Sequence, residues 1–421
     1  MYYFLFILYL AIGCYFICRI PFIKKTELGS KTILLLFLLK IAAGVLLGYI
    51  MNSNYTNGND YLQLNTQAIH EFNLLQTDPG LFFREIYQSN YNGNGYDNPF
   101  GSYRSFWNDL EYNLLAKTLA PLNFLSGGNY YINGLFFNCF GFLGHVALYH
   151  VFANVYKEKK GAVIAGTFLL PSLLLFSSSI GKDNVCFTLI AGFCCLLYFS
   201  AFSRFTIKRS VLLFTLFCGV LLMRNHIALL LIPAAVAFVI STRKKINPLK
   251  IFTIIYGLLF VLLLIVPRLS PTVNPAAVIS QKQKDFLELG LANSQIPVNA
   301  IEPSAWGLLK NAPQAINHGF FRPYIWEARN IFTFLQALEV SFYLMLFTAF
   351  CIAAVQNRVA LKPNAFVLFG IFFSFTVLLL NGYIVPNTNT LVRYRSIYLP
   401  FLLLPVICNL VVPNFIKRIN F

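Results

Sequence analysis

The chain alternates apolar runs of about 18 to 20 residues with short polar breaks, and runs of that length cross a bilayer as helices. Taken in order, spans are expected at 2–20, 32–51, 130–155, 162–180, 185–202, 211–223, 227–240, 251–266, 331–355, 366–384 and 397–412. The expectation is an all-α polytopic membrane protein, a single transmembrane domain over 1–421. It has about eleven spans and two large external loops, 52–125 and 267–330. Two spans, 211–223 and 227–240, are short. At 1.5 Å per residue each covers roughly 20 Å of a core about 30 Å thick. Arg224 and His226, in the break between them, are therefore expected to be recessed below the outer surface.

Within the first loop, 60–75 carries apolar residues at helical spacing (Leu62, Leu64, Ile69, Phe72, Leu75), and 106–124 is also amphipathic. Both are expected to form helices on the membrane surface. The stretch 87–103 between them is rich in Asn, Gly and Tyr, a composition suited to a solvated loop or to carbohydrate contacts. No repeat of repeat-protein length is visible.

Basic residues give the chain its direction. Dense clusters (Lys24-Lys25, Lys157 to Lys160, Lys208-Arg209, Arg243 to Lys245, Lys417-Arg418) alternate with single cations in the breaks. Placing the clusters in the cytoplasm puts the N-terminus outside and the C-terminus inside, and leaves the external segments near charge balance. The formal net charge of +17 is then mainly a topology signal, and nucleic acid is not an expected partner. The composition agrees: 57% hydrophobic, 17% aromatic and only 11% charged. The 9 cysteines lie in apolar runs without zinc-ligand spacing, so they are expected as buried small hydrophobes, with neither disulfides nor a metal. No basic residue precedes the first apolar run, which is therefore expected to be a retained helix, not a cleaved signal peptide. No phosphate-binding loop, dinucleotide fingerprint or zinc helix is present, and no cofactor is expected.

The isolated polar residues all fall on the external side of this arrangement. They are Asp60 and Arg104, Lys182 and Asp183, Arg224 and His226, Arg322 with Glu327 and Arg329, and Arg393 with Arg395. Charges at membrane depth are costly and usually functional. Several cations facing one cavity repel each other unless an anion joins them, and a diphosphate suits arginine forks and a lysine point charge. Simpler readings stand beside this one. Lys182-Asp183 reads as a local ion pair, Arg224 as a counter-ion for Glu339, and His226 as a packed histidine. Arg393 and Arg395 read as interface snorkellers, as does Lys40 toward the cytoplasm.

The residues also carry a resemblance. Pro171-Ser172 and Ser178 through Asp183, Arg224-Asn225-His226-Ile227-Ala228, Phe321 through Ala328, and Arg393-Tyr394-Arg395 stand in order along most of the chain. In this order they resemble short motifs of bacterial O-antigen and exopolysaccharide polymerases and, more loosely, C-type integral membrane glycosyltransferases (GT-C). Asn225 stands where the family carries a proline, and an extra span precedes Asp60. The resemblance implies a multi-pass protein of the bacterial inner (plasma) membrane, acting in cell-envelope polysaccharide biosynthesis. It implies an undecaprenyl diphosphate-linked sugar donor at the outer face, with external arginines on the diphosphate.

On that reading Lys182, Arg224, Arg322, Arg329, Arg393 and Arg395 hold the diphosphate. Asp60, Glu327 or His226 takes the acceptor's proton, and Asp183, Arg104 and Glu339 support the site. Expected partners are the polyprenyl diphosphate-linked glycan, membrane lipids and other envelope glycan-assembly proteins. A flippase for lipid-linked oligosaccharides is the alternative. It requires a polar path into the cytoplasmic half, where only Lys40 is a candidate. An acyltransferase ranks third, because no carboxylate neighbours His226 in sequence.

Overall fold

The computed structural model describes residues 1–54, 60–86, 96, 105–270, 274–288, 294–357 and 364–410. Arg104 lies outside the described residues, as do most of the 87–103 stretch and the 417–418 basic pair. The described chain is helical, with an isolated β-bridge between Gln295 and Asn387. Among the described residues, 7 helices are long and apolar enough to cross a membrane. The number is 8 if Thr388–Ser396 and Leu399–Asn409, bent by 65° at their break, form one span. The chain is thus a multi-helix protein of membrane-spanning type.

The difference from eleven has local causes. Tyr2–Ile17 has 16 residues, short of a full crossing. The stretch 162–180 is not one helix. It divides into Lys160–Phe168 and Pro171–Phe176, because Pro171 lacks a backbone N–H and its ring excludes the preceding turn. The helices flanking Arg224 are longer than the apolar runs suggest. They cover Ile207–Met223 (17 residues) and Asn225–Lys244 (20 residues), because Lys208, Arg209, Arg243 and Lys244 continue the helices past their apolar cores. Their lengths become roughly 26 and 30 Å, so the case for recessing Arg224 on length alone falls. The cysteines are free, and four are buried, but Cys351 is exposed.

The chain divides into two compact units. Unit 1 is Met1–His150, Leu173–Leu196 and Thr206–Ala228; unit 2 is Val151–Ser172, Leu197–Phe205 and Leu229–Phe421.

In unit 1, the loop helices Asp60–Thr77 and Phe106–Leu119 pack against each other. The first buries Tyr61, Leu64, Ala68 and Glu71; the second buries Glu111, Leu115, Lys117 and Leu119. Their inner stripes are thus covered by protein, not laid on lipid. Two of the buried residues neutralise each other: Lys117 Nζ lies 2.6 Å from Glu71 Oε2. The Lys117 ammonium also donates to the Phe82 carbonyl and sits 4.2 Å from the Phe82 ring centre. Lys40 is not a snorkeller either. It is 1% exposed, and its ammonium donates to the Ser177 carbonyl at 2.6 Å, with Ser177 Oγ and His145 Nε2 at 3.2 and 3.4 Å. Partners close by inside the fold remove the need to reach water.

In unit 2, Ala305–Ile316 and the π-helical turn Asn317–Phe321 lie against Ala365–Ile384. The approach is close enough that a Cβ on Gly319 would strike the Leu378 carbonyl, and one on Gly382 the Ala315 carbonyl. Glycine at both positions lets the turn seat.

Candidate functional site

The expected site residues fall into two groups, each inside one unit. In unit 1, Lys182 and Asp183 open the helix Lys182–Ala201, where an acid suits the positive end of the helix dipole. Arg224 ends Ile207–Met223 in an extended conformation (φ −153°, ψ 88°). Its Nη2 donates to Asp183 Oδ1 at 2.5 Å, with both side chains buried. Lys182 pairs with Glu111 of the loop helix Phe106–Leu119. Lys182 and Asp183 are therefore not paired with each other, and Asp183 is a carboxylate that answers Arg224.

Trp107 fixes the loop helix in register, donating from Nε1 to the Leu222 carbonyl at 3.0 Å. Sequence reasoning passed over Glu111 as a site residue. Its signal is its position on the stripe Trp107, Glu111, Leu115, Leu119, where a carboxylate recurs at the spacing of the apolar face. Asp60 is exposed at the start of its helix, near Tyr112. Burial, and then the Asp60 charge, push the Tyr112 phenol up to about 12. His226 is half-buried, and its backbone N–H donates to Asn225 Oδ1 at 2.7 Å.

In unit 2, Arg322 follows the π-helical turn and is joined to Pro323 by a cis peptide. Arg395, 3% exposed, reaches the end of that turn. Its Nη1 lies 3.4, 3.1 and 2.9 Å from the carbonyls of Gly319, Phe320 and Arg322. A guanidinium against the last carbonyls of a helix is a favourable cap. Arg395 thereby holds the backbone that carries Arg322. Residues two apart on a helix do not share a face, so Arg393, packed over the Tyr394 ring at 5.3 Å, points elsewhere.

The Arg322 side chain is only 16% exposed, and its Nε is 3.3 Å from Glu327 Oε1. That contact lacks hydrogen-bond alignment. Among the described residues, neither Nε nor Nη1 of Arg322 has a hydrogen-bond partner. Glu327 Oε2 accepts from the Tyr324 N–H at 3.0 Å, which orients the carboxylate. His318, 1% exposed in the π turn, likewise has an Nδ1 without a partner among the described residues. Burial, and next the Arg322 charge, push its imidazole down to about 4, against a hydrogen bond to the Gly382 backbone.

Glu339 accepts from the Ser172 N–H at 2.9 Å and from the Tyr343 hydroxyl, and is within electrostatic reach of Arg395. Arg329 is exposed, and its N–H donates to Thr333 Oγ1 at 3.1 Å.

The two groups differ chemically. Unit 1 sets each cation of its group against a carboxylate. Unit 2 sets Arg322, whose Nε and Nη1 lack hydrogen-bond partners among the described residues, beside the oriented Glu327 carboxylate. Buried polar atoms are nearly always hydrogen-bonded, so unused donors on a buried guanidinium call for an explanation, and a bound anion is one. The chain matches no family model, no curated protein and no solved structure, so these residues are read from their own geometry.

Proposed function

We propose that this protein is a membrane glycosyltransferase or polysaccharide polymerase. It takes sugar or oligosaccharide from an undecaprenyl diphosphate-linked donor at the outer face of a bacterial inner membrane. The observation that carries the reading is Arg322, a largely buried guanidinium whose Nε and Nη1 lack a hydrogen-bond partner among the described residues, on a backbone clamped by Arg395. A guanidinium fork matches phosphate oxygens bidentately. In the proposed step the acceptor hydroxyl attacks the anomeric carbon and passes its proton to a base. Glu327 has the position for that base. The bond from the anomeric carbon to the diphosphate breaks, and the leaving diphosphate carries off the electron pair. Charge builds on its oxygens, where the Arg322 donors stabilise it electrostatically. The resemblance of 321–328 and 393–395 to O-antigen polymerase motifs supports the same assignment.

The test is turnover of lipid-linked repeat units by purified protein, with products sized on a gel. Arg322→Ala is expected to lower kcat/KM by about 100-fold or more, with Arg322→Lys in between. Wild-type turnover by a normally inserted Arg322→Ala protein removes Arg322 from the site.

Lys40 favours a second reading. It lies within unit 1 beside His145 and Ser177, and the adjoining Ser178 and Asn138 line a crevice with Tyr130 and Tyr131. A flippase for lipid-linked oligosaccharides needs polar groups inside its helices. Liposomes that move a fluorescent lipid-linked sugar between leaflets, without forming longer glycan, would favour transport.

A further inference from the structure

The turn beside Arg322 contains an aromatic pair that diphosphate binding does not use. Tyr324 and Trp326 stack with ring centroids 4.7 Å apart and planes 11° from parallel. Trp326 is 80% exposed. Tyr324 behind it is fixed at both ends. Its hydroxyl donates to Asn317 Oδ1 at 2.5 Å, and its N–H donates to Glu327 Oε2 at 3.0 Å. The short 3-10 turn Ile325–Glu327 closes with the Glu327 N–H on the Tyr324 carbonyl at 3.0 Å. The indole is therefore a plate backed by one ring, with its other face open. A rigid aromatic face binds with little loss of side-chain freedom.

The surroundings of the plate indicate what lies on it. Glu327 accepts from the Tyr324 N–H at 3.0 Å and is 3.3 Å from Arg322, so the turn that carries the apolar face also carries a charged donor and a charged acceptor. A sugar ring has matching chemistry: one face of C–H bonds for the π surface, and hydroxyls at its edge for the charged pair. An acyl chain would leave that pair unanswered. Ile325, directly before Trp326, is 44% exposed, and the helix Ile331–Val355, which packs against the turn, exposes Ile331 and Leu335.

We infer that Trp326 is a stacking platform for a sugar ring of the glycan, next to its diphosphate linkage. The inference deepens the reading above and rests on Arg322 as the diphosphate anchor.

The experiment measures binding to full-length protein in phosphatidylethanolamine–phosphatidylglycerol nanodiscs. Three probes are compared: lipid-linked repeat unit extracted from the native host, undecaprenyl diphosphate alone, and the same glycan freed from its lipid. Trp326→Ala is expected to weaken the lipid-linked repeat at least about tenfold, the scale of an aromatic contact of 1.4 kcal/mol or more, while leaving undecaprenyl diphosphate unchanged. Trp326→Phe, which keeps a ring, is expected to fall between. Unchanged affinity for the lipid-linked repeat in Trp326→Ala overturns the inference. So does an equal loss for both lipid probes, which would make Trp326 a membrane or isoprenoid anchor. If wild type binds the free glycan through Trp326 but does not bind undecaprenyl diphosphate, the platform stands and the diphosphate reading falls.

Discussion

Arg224 shows how a single residue can mislead when read alone. A cation at the end of an apolar helix invites a ligand, and here Asp183 meets it at 2.5 Å with both side chains buried. A buried pair contributes little relative to an apolar substitute, yet breaking it is costly, because the surviving charge stays buried. Arg224→Ala is therefore expected to destabilise unit 1 by about 3–5 kcal/mol. Arg224→Met combined with Asp183→Asn is expected to recover most of that loss. Thermal unfolding in detergent of the two variants and the wild type checks this. If the double variant is no more stable than the single, the pair is not the source of the cost. Asp183 and Arg224 are visible as charges in the sequence, but their pairing is not. Partners 41 residues apart for Arg224–Asp183, and 71 apart for Lys182–Glu111, are set by helix packing that no local pattern encodes.

At the scale of elements, patterning identified most of what forms. Helices cover Asp60–Thr77 and Phe106–Leu119, the two loop stretches with apolar periodicity. The pattern did not say what their inner stripes would meet, because Glu71, Glu111 and Lys117 lie on those stripes as charges. Arg243 belongs to a basic cluster read as a topology signal. It also caps a helix end, donating to the Ser200 carbonyl at 2.8 Å.

The π-helical turn Asn317–Phe321 was not legible at all. It depends on two glycine approaches and on an arginine from more than 70 residues along the chain. This turn carries a pH dependence through His318. Histidine's ordinary value is about 6.5, and in the fold His318 is pushed down to about 4. Between those values the unfolded chain binds more protons, so stability rises with pH. The contribution is full above about 6.5 and is lost as pH falls toward about 4. The apparent melting temperature in detergent is expected to drop over that window, and His318→Gln should flatten the drop. Parallel curves for the two proteins would show that His318 does not titrate with unfolding.

For the whole molecule, the open quantity is direction through the bilayer. Among the described residues, 7 helices are sufficient to cross, and a bent pair adds an eighth. Spans that fall short in length are decided by what flanks them. Lys157 to Lys160 precede the broken pair Lys160–Phe168 and Pro171–Phe176, and Lys182-Asp183 follow it. Lys208-Arg209 open Ile207–Met223, and Arg243-Lys244 close Asn225–Lys244. If cytoplasmic retention of basic clusters governs insertion, both the broken pair and the 17-residue helix must cross, short as they are. Residues 182 and 224 then share the outer side, as the sugar-transfer reading requires.

Reporter fusions decide this. Alkaline phosphatase joined after residues 183 and 226 is expected to be active, and green fluorescent protein after residues 160, 209 and 245 to fluoresce. The opposite pattern at all five positions inverts the protein and ends the outer-face assignment. Because Asp183 and Arg224 are paired at 2.5 Å, the fusions after 183 and 226 are expected to agree, and a reversal at 183 alone would overturn that pair and remove Lys182 and Asp183 from the outer side.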